Sequence, residues 1–238
     1  MPNRVKIGLL APTHYAGDMP FPREFIDWFQ AAEGLGFDSL WVLDRIFGSV
    51  KTPDAMTILA LAAGVTSRVR LGTGVILLPH RNPILFAKEV ATLDYISGGR
   101  VDLGIGLGGR EGEFTALGIR MEERVGRFRE NLAIMRKLWA EPNVSFQGRY
   151  HTFDGVTLEP RPTQPSIPIY VGGEVDAVLK RTAELADGWL GGSRNDPRLF
   201  SEKRRKIRDF ARAGGRDPDA LDCGNLVYLA VGVDRDEL

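Results

Sequence analysis

The segment VRLGTGVILLPHRNPILFAKEVATLDYISGGRVDLGIGLGGR, residues 69 to 110, reads as strand, turn, helix and strand, with a glycine cluster where the last strand ends. Val69 to Leu78 is apolar apart from Arg70 and Thr73, as a strand buried on both faces of a parallel sheet should be, and Pro79 stops it. From Pro83 to Ile96 the residues Ile84, Ala87, Val90, Ala91 and Leu93 recur near helical spacing. Pro83 suits the start of that helix and Gly98-Gly99 its stop. Loops at the carboxyl ends of parallel strands carry the chemistry of α/β folds, and glycine lets backbone N–H groups approach an anion. This unit therefore points to a cofactor-using enzyme.

The same pattern continues along the chain. Candidate strands are Val5 to Ala11, Ser39 to Leu43, Arg70 to Leu77, Val101 to Ile105, Ile169 to Val171, Gly188 to Leu190 and Asn225 to Val233. Apolar stripes between them are Phe25, Ile26, Phe29, Ala32 and Leu35; Met56, Leu59, Ala60 and Ala63; and Phe128, Leu132, Ile134, Met135 and Leu138. Alternation of strand and helix predicts a parallel sheet. A helix from about Glu123 to Ala140 is followed by a segment at 143–158 whose aromatic and β-branched runs around Gly148 and Asp154-Gly155 predict an inserted hairpin.

A chain of 238 residues, 43% hydrophobic and 26% charged, suits a single domain spanning residues 1–238. With 31 basic and 31 acidic residues, the charge balance recommends neither nucleic acid nor an anionic membrane as a partner. The lone Cys223 cannot form an intrachain disulfide and reads as a buried, inert thiol. The start, MPNRVKIGLLAP, holds too short an apolar run for a signal peptide or a membrane span, so a cytoplasmic location is expected. His14, His80 and His151 lie in separate stretches without metal-ligand spacing, and no metal is expected. His14, after the first strand, is a candidate substrate-site residue, whereas His80 and His151 read as solvated or structural.

Gly104, Gly106 and Gly109 match GxGxxG, but they follow the fourth predicted strand, where a dinucleotide-binding crossover would need them after the first. The Rossmann reading is rejected, although the loop at 104–114 remains a candidate cofactor cradle. Gly172-Gly173 follows PIYV at a strand end. Cofactor contact and a plain tight turn both stay open there. Gly72 and Gly74 equally admit two readings, a ligand wall or room for a bulky neighbour.

The chain resembles the bacterial-luciferase-like flavin and deazaflavin oxidoreductases. The matching pieces are GFDSLWVLDR at 36–45, residues 70–109, EF at 113–114 and PIYVGG at 168–173. The resemblance implies an α/β fold, a (β/α)8 TIM barrel of the luciferase-like type, with FMN or coenzyme F420 lying across the carboxyl ends of the strands. It also implies a non-prolyl cis peptide at Gly74–Val75 backing the ring. Expected cofactor contacts are Thr73, Gly74, Val75, Leu107, Gly108, Gly109, Val171, Gly172 and Gly173. The expected catalytic residues are Asp44, Arg45 and His14. Relatives often carry an acidic residue and then histidine where this chain has Asp44-Arg45. A guanidinium stabilises an anion but is a poor general acid or base, and Asp44 either meets the cofactor or pairs with Arg45. Deazaflavin sugar-phosphate dehydrogenases carry an acidic residue at the point matching Gly109, and its absence argues against that substrate class. With seven strands counted up to Leu238, the barrel is expected to be truncated before its eighth strand.

The expected activity is hydride transfer by coenzyme F420 to or from a small organic substrate. The alternatives are an FMN-dependent monooxygenase fed by a partner flavin reductase, and a non-catalytic flavin-binding protein. A homo-oligomer is expected.

Overall fold

The computed structural model describes residues 4–15, 17–19 and 22–229. The chain falls into two compact units, one running to Pro168 and one from Ile169 on. In the first, β1 (Gly8–Leu10), β2 (Ser39–Val42), β3 (Arg70–Thr73), β4 (Ile76–Leu77) and β5 (Val101–Gly106) form parallel pairs in the order β1-β2-β3-β5, with β4 also beside β5. Between them run α1 (Pro22–Gly34), α2 (Ala55–Val65) and α3 (Pro83–Ser97), followed by the short α4 (Glu111–Ala116) and the long α5 (Arg124–Ala140). The expected hairpin is present as β6 (Val144–Gln147) and β7 (Thr152–Val156), paired antiparallel. In the second unit, β8 (Ile169–Gly172), β9 (Gly188–Gly191) and β10 (Asp222–Asn225) pair in parallel, joined through α6 (Asp176–Leu185) and α7 (Pro197–Ala213).

Local chemistry explains the helix ends. Asn82 caps α3 by accepting from the Ile84 and Leu85 N–H groups at 3.0 and 3.2 Å, Pro83 starts the helix, and left-handed Gly98 closes it. Asp54 and Asp196 cap α2 and α7 in the same way. Phe29, Leu40, Leu59, Leu71, Phe86 and Phe128 are buried in the first unit, and Leu179, Trp189, Ile207 and Ala211 in the second. Cys223 packs against this second core, and burial pushes its thiol up to about 11, in keeping with an inert role.

Several expectations are corrected. Val5 to Ala11 shortens to Gly8–Leu10, because the Asp38 carboxylate takes the Ile7 N–H at 2.8 Å and Val5 stands 81% exposed. Arg70 to Leu77 is not one strand but two, broken at residues 74 and 75. The last strand lies at Asp222–Asn225, not Asn225 to Val233. Its partner β9 is only four residues long, and the pairing ends as the Leu226 N–H reaches the Gly191 carbonyl. Val227, Tyr228 and Leu229 are exposed, and the rest of that predicted strand lies outside the described residues. Leu35 falls beyond the end of α1 and is exposed; Ala60 points outward while Ala62 is buried.

The entry ends of the strands are held by saturated polar groups. The buried Arg100 guanidinium donates to the carbonyls of Ser97, Val69, Ala63 and Thr66 and to the Thr66 hydroxyl. Arg70 grips Asp102 through two bonds of 2.7 and 2.6 Å. Glu33 accepts from the N–H groups of Ser67, Arg68 and Val69, which outweigh its partial burial and hold its carboxyl at about 2. Its folded value is below the ordinary 4.5, so its stabilisation is complete above about pH 4.5 and is lost as pH falls towards 2. Glu33→Gln should cost about 2 kcal/mol at pH 7, and in urea unfolding the gap to the parent should narrow between pH 4.5 and 2.

Trp41 fills the interior between β1 and β3. A methyl group on Gly8 would lie 2.6 Å from its Nε1, and one on Gly72 would lie 2.6 Å from its Cζ3. The bulky-neighbour reading therefore holds for Gly72. At Gly74 the nearest ring atom would be 3.8 Å away, an ordinary van der Waals contact, so Trp41 does not require glycine there. Gly72→Ala should lose about 2–3 kcal/mol by overpacking and alter the tryptophan fluorescence. The same change at Gly109, where nothing lies within 4 Å, should leave the melting temperature unchanged.

Candidate functional site

The break between β3 and β4 is the site's centre in the first unit. The Gly74–Val75 peptide is cis, as the resemblance implied. The Gly74 N–H donates to the Val42 carbonyl at 2.7 Å, while β4 resumes pairing with Ile105 and Gly106. Val75 lies over β5, so that a methyl group on Gly106 would come within 2.7 Å of its Cγ2. Gly106 thus makes room for Val75 rather than for a ligand. Thr73 is buried and its hydroxyl donates to the Gly104 carbonyl at 2.7 Å, so its proton is already committed to joining β3 and β5.

Asp44 corrects the sequence reading. Its carboxylate pairs with Arg81, not with the adjacent Arg45: Oδ1 accepts from Arg81 Nη2 at 3.1 Å, and Oδ2 accepts from the Leu77 N–H at 3.1 Å. With a side chain only 3% exposed, it fixes the end of β4. Asp44 and Arg45 both lie beyond the end of β2, in the segment that follows it. Arg81 also reaches Asp54 at 3.6 Å and lies over the Phe86 ring. Sequence reasoning passed over Arg81, because a partner 37 positions away leaves no local signal.

The glycine loop follows β5. Gly108 has φ +74°, a left-handed conformation, and a side chain there would meet His80 at 3.3 Å. Gly109 faces open space. His80 packs edge-on to Phe114 with centroids 4.3 Å apart, and both its ring nitrogens are buried without a hydrogen-bond partner. Burial, with a smaller contribution from Arg81, pulls its pKa below 6.5 against the opposing pull of Asp44, so the ring is neutral at pH 7. Of the two expectations for His80, solvated or structural, the packed ring fits the structural one, with its nitrogens left unpaired. His151 is structural, its Nε2 lying 3.0 Å from Asn131 Oδ1, and Asn131 in turn donates to the Leu78 and Arg81 carbonyls. His14 is exposed. Desolvation and then Arg45 lower its pKa, with a smaller push from Arg110.

In the second unit Val171 is buried and pairs with Trp189. Gly173 has φ +129°, and its carbonyl accepts from Trp189 Nε1 at 2.7 Å, the conduct of a turn glycine. Next to it, Glu174 accepts from the Gly192 N–H, Asn195 and Lys203 at 2.9, 3.0 and 2.6 Å. Lys203 holds the Glu174 carboxyl below its usual range. This polar knot was not singled out in the sequence, since its members belong to separate βα turns.

The residues present fit a flat, anionic-tailed ring cofactor. Gly109 leaves ground that no neighbouring side chain fills, Gly74 could carry a side chain without a clash, and the unpartnered His80 nitrogens lie behind the loop. Among the described residues no group of three or more His, Cys, Asp and Glu is placed to hold a metal ion. No described helix is long and apolar enough to cross a membrane.

Comparison with known proteins agrees with this geometry. The chain is 30% identical to the F420-dependent glucose-6-phosphate dehydrogenase of Amycolatopsis mediterranei over 98% of its own length and 70% of the relative's. Two solved structures match with TM-scores of 0.78 and 0.87. The first is the monooxygenase RslO1 of Streptomyces bottropensis, 34% identical over 87% of this chain and 65% of that one. The second is an F420-dependent secondary alcohol dehydrogenase in complex with an F420-acetone adduct, 25% identical over 99% and 72%. The chain thus spans about two thirds of the length of these proteins. Its alternating strands and helices are those of the luciferase-like type of TIM barrel. Residues 5–238 match the luciferase-like monooxygenase family, and the chain belongs to it.

Proposed function

We propose that the protein is an F420-dependent oxidoreductase that moves a hydride to or from a small organic substrate. The observation that carries this reading is the break that divides β3 from β4, together with the open ground at Gly109 in the loop after β5, in a chain whose relatives are named for F420 chemistry. The deazaflavin, when bound, supplies the two-electron chemistry. Val75 gives the ring an apolar backing, held in place by the space at Gly106. Leu107, Gly108 and Gly109 offer backbone N–H groups.

Asp44 acts as a positioning residue, because both its oxygens are engaged in fixing Leu77 and Arg81. Arg45 serves as a fixed positive charge and His14 as a neutral imidazole near it. The lone, half-buried Cys223 fits a reducing cytoplasm. A second reading, an FMN-dependent monooxygenase fed by a reductase, rests on the likeness to the Streptomyces monooxygenase.

Equilibrium titration with coenzyme F420 and with FMN, followed by fluorescence, tests the choice. F420 should bind more tightly. Gly109→Asp adds a negative charge on open ground and should weaken F420 binding about tenfold without changing the melting temperature. Tighter binding of FMN, with oxygen-dependent turnover, would replace the F420 reading by the second one. Binding without turnover of any substrate would leave a flavin carrier. Equal F420 affinity in parent and variant would remove the glycine loop from the site.

A further inference from the structure

Among the arginines of the first unit, most are neutralised or fully bonded. Arg70 has Asp102, Arg81 has Asp44 and Asp54, Arg127 has Glu123, and Arg100 has five oxygen acceptors. The side chains of Arg45 and Arg110 have neither a hydrogen bond nor an ion pair among the described residues, yet both reach the same point above Gly48. A methyl group on Gly48 would lie 3.5 Å from Arg45 Nη1 and 3.8 Å from Arg110 Nη1. Both also act electrostatically on His14. The nearby Lys51 is paired with Asp18, so that carboxylate is engaged elsewhere.

Two guanidiniums that cannot lose their protons thus reach one point, and no described carboxylate pairs with either. Their positions in the chain matter as well. Arg45 directly follows Asp44, which fixes the end of β4, and Arg110 directly follows Gly109 in the glycine loop. They stand beside both walls of the proposed ring site.

We propose that Arg45 and Arg110 form a binding site for an anionic group, a carboxylate or a phosphate, carried by the organic substrate. A guanidinium pair suits the planar, multidentate oxygen arrangement of such groups. It selects acidic substrates over neutral ones of the same shape and steers them towards the ring. The assignment of the anion to a substrate rests on the oxidoreductase reading; the anion site itself does not.

His14 is a built-in reporter, because an anion between the two arginines offsets the charges that depress its pKa. Its titration, followed by NMR and identified with His14→Gln, is measured in chloride, in inorganic phosphate and in succinate at equal ionic strength. Phosphate and succinate should raise the His14 pKa in the parent but not in Arg45→Met or Arg110→Met. In parallel, F420 affinity in both variants should stay within about twofold of the parent. KM for acidic substrates should rise about tenfold or more against that for their neutral analogues.

The absence of any response to either anion, or the same response in the variants, overturns the site. A tenfold loss of F420 affinity in the variants overturns the substrate assignment and gives the anion to the cofactor's own phosphate. If no form binds F420 while His14 still responds, the F420 reading fails and the anion site stands.

Discussion

Trp41 sets the constraint on which the first unit is built. One indole from β2 occupies the space that side chains at residues 8 and 72 would need, so the strands on either side must carry glycine there. Its Nε1 is satisfied by the Ser39 hydroxyl at 2.8 Å on the same face, which lets a polar-edged ring sit in the interior. With that layer filled by a single large side chain, β3 lies close against β2, and the Gly74 N–H reaches the Val42 carbonyl. The backbone wall at Gly74 and Val75 is a continuation of that packing.

Polar groups divide by strand end. Before β3 and β5 lie Glu33 and Arg100, and in the first residues of those strands Arg70 and Asp102; all are saturated by backbone or by one another. Asp38 and Asp187 repeat one device in the two units, each carboxylate receiving the N–H of the strand before it, from Ile7 and Ile169. At the carboxyl ends stand the unpaired Arg45 and Arg110 and the orphaned His80 nitrogens. Saturated charge fixes structure; charge left without a partner is available to a ligand.

The glycines show how far the sequence could be read. GTG and GIGLGG announce close approach but not what approaches. Gly72 and Gly106 are emptied by Trp41 and Val75, Gly108 adopts a backbone that side chains avoid, Gly74 leaves an ordinary contact distance to Trp41, and Gly109 faces open ground. Asp44 shows the same limit in charge. Its neighbour in sequence is a cation, but the partner it finds is Arg81, 37 positions away. Unpaired Arg110 and the Glu174 knot gave no sequence signal, since their meaning depends on which loops lie side by side.

The sequence by itself determined the class of fold, the helix limits at Pro83 and Gly98 and the hairpin at 143–158, because periodicity, caps and turn residues act over a few positions; the place of the break at Gly74–Val75 was implied by the family resemblance alone. Tertiary structure decided the end of the last strand at Asn225, the partner of Asp44, the state of His80 and the meeting of Arg45 with Arg110. Strand length is set by the neighbour that supplies hydrogen bonds, and a charge is defined by what lies across space from it. Neither is written within reach of a residue's own segment.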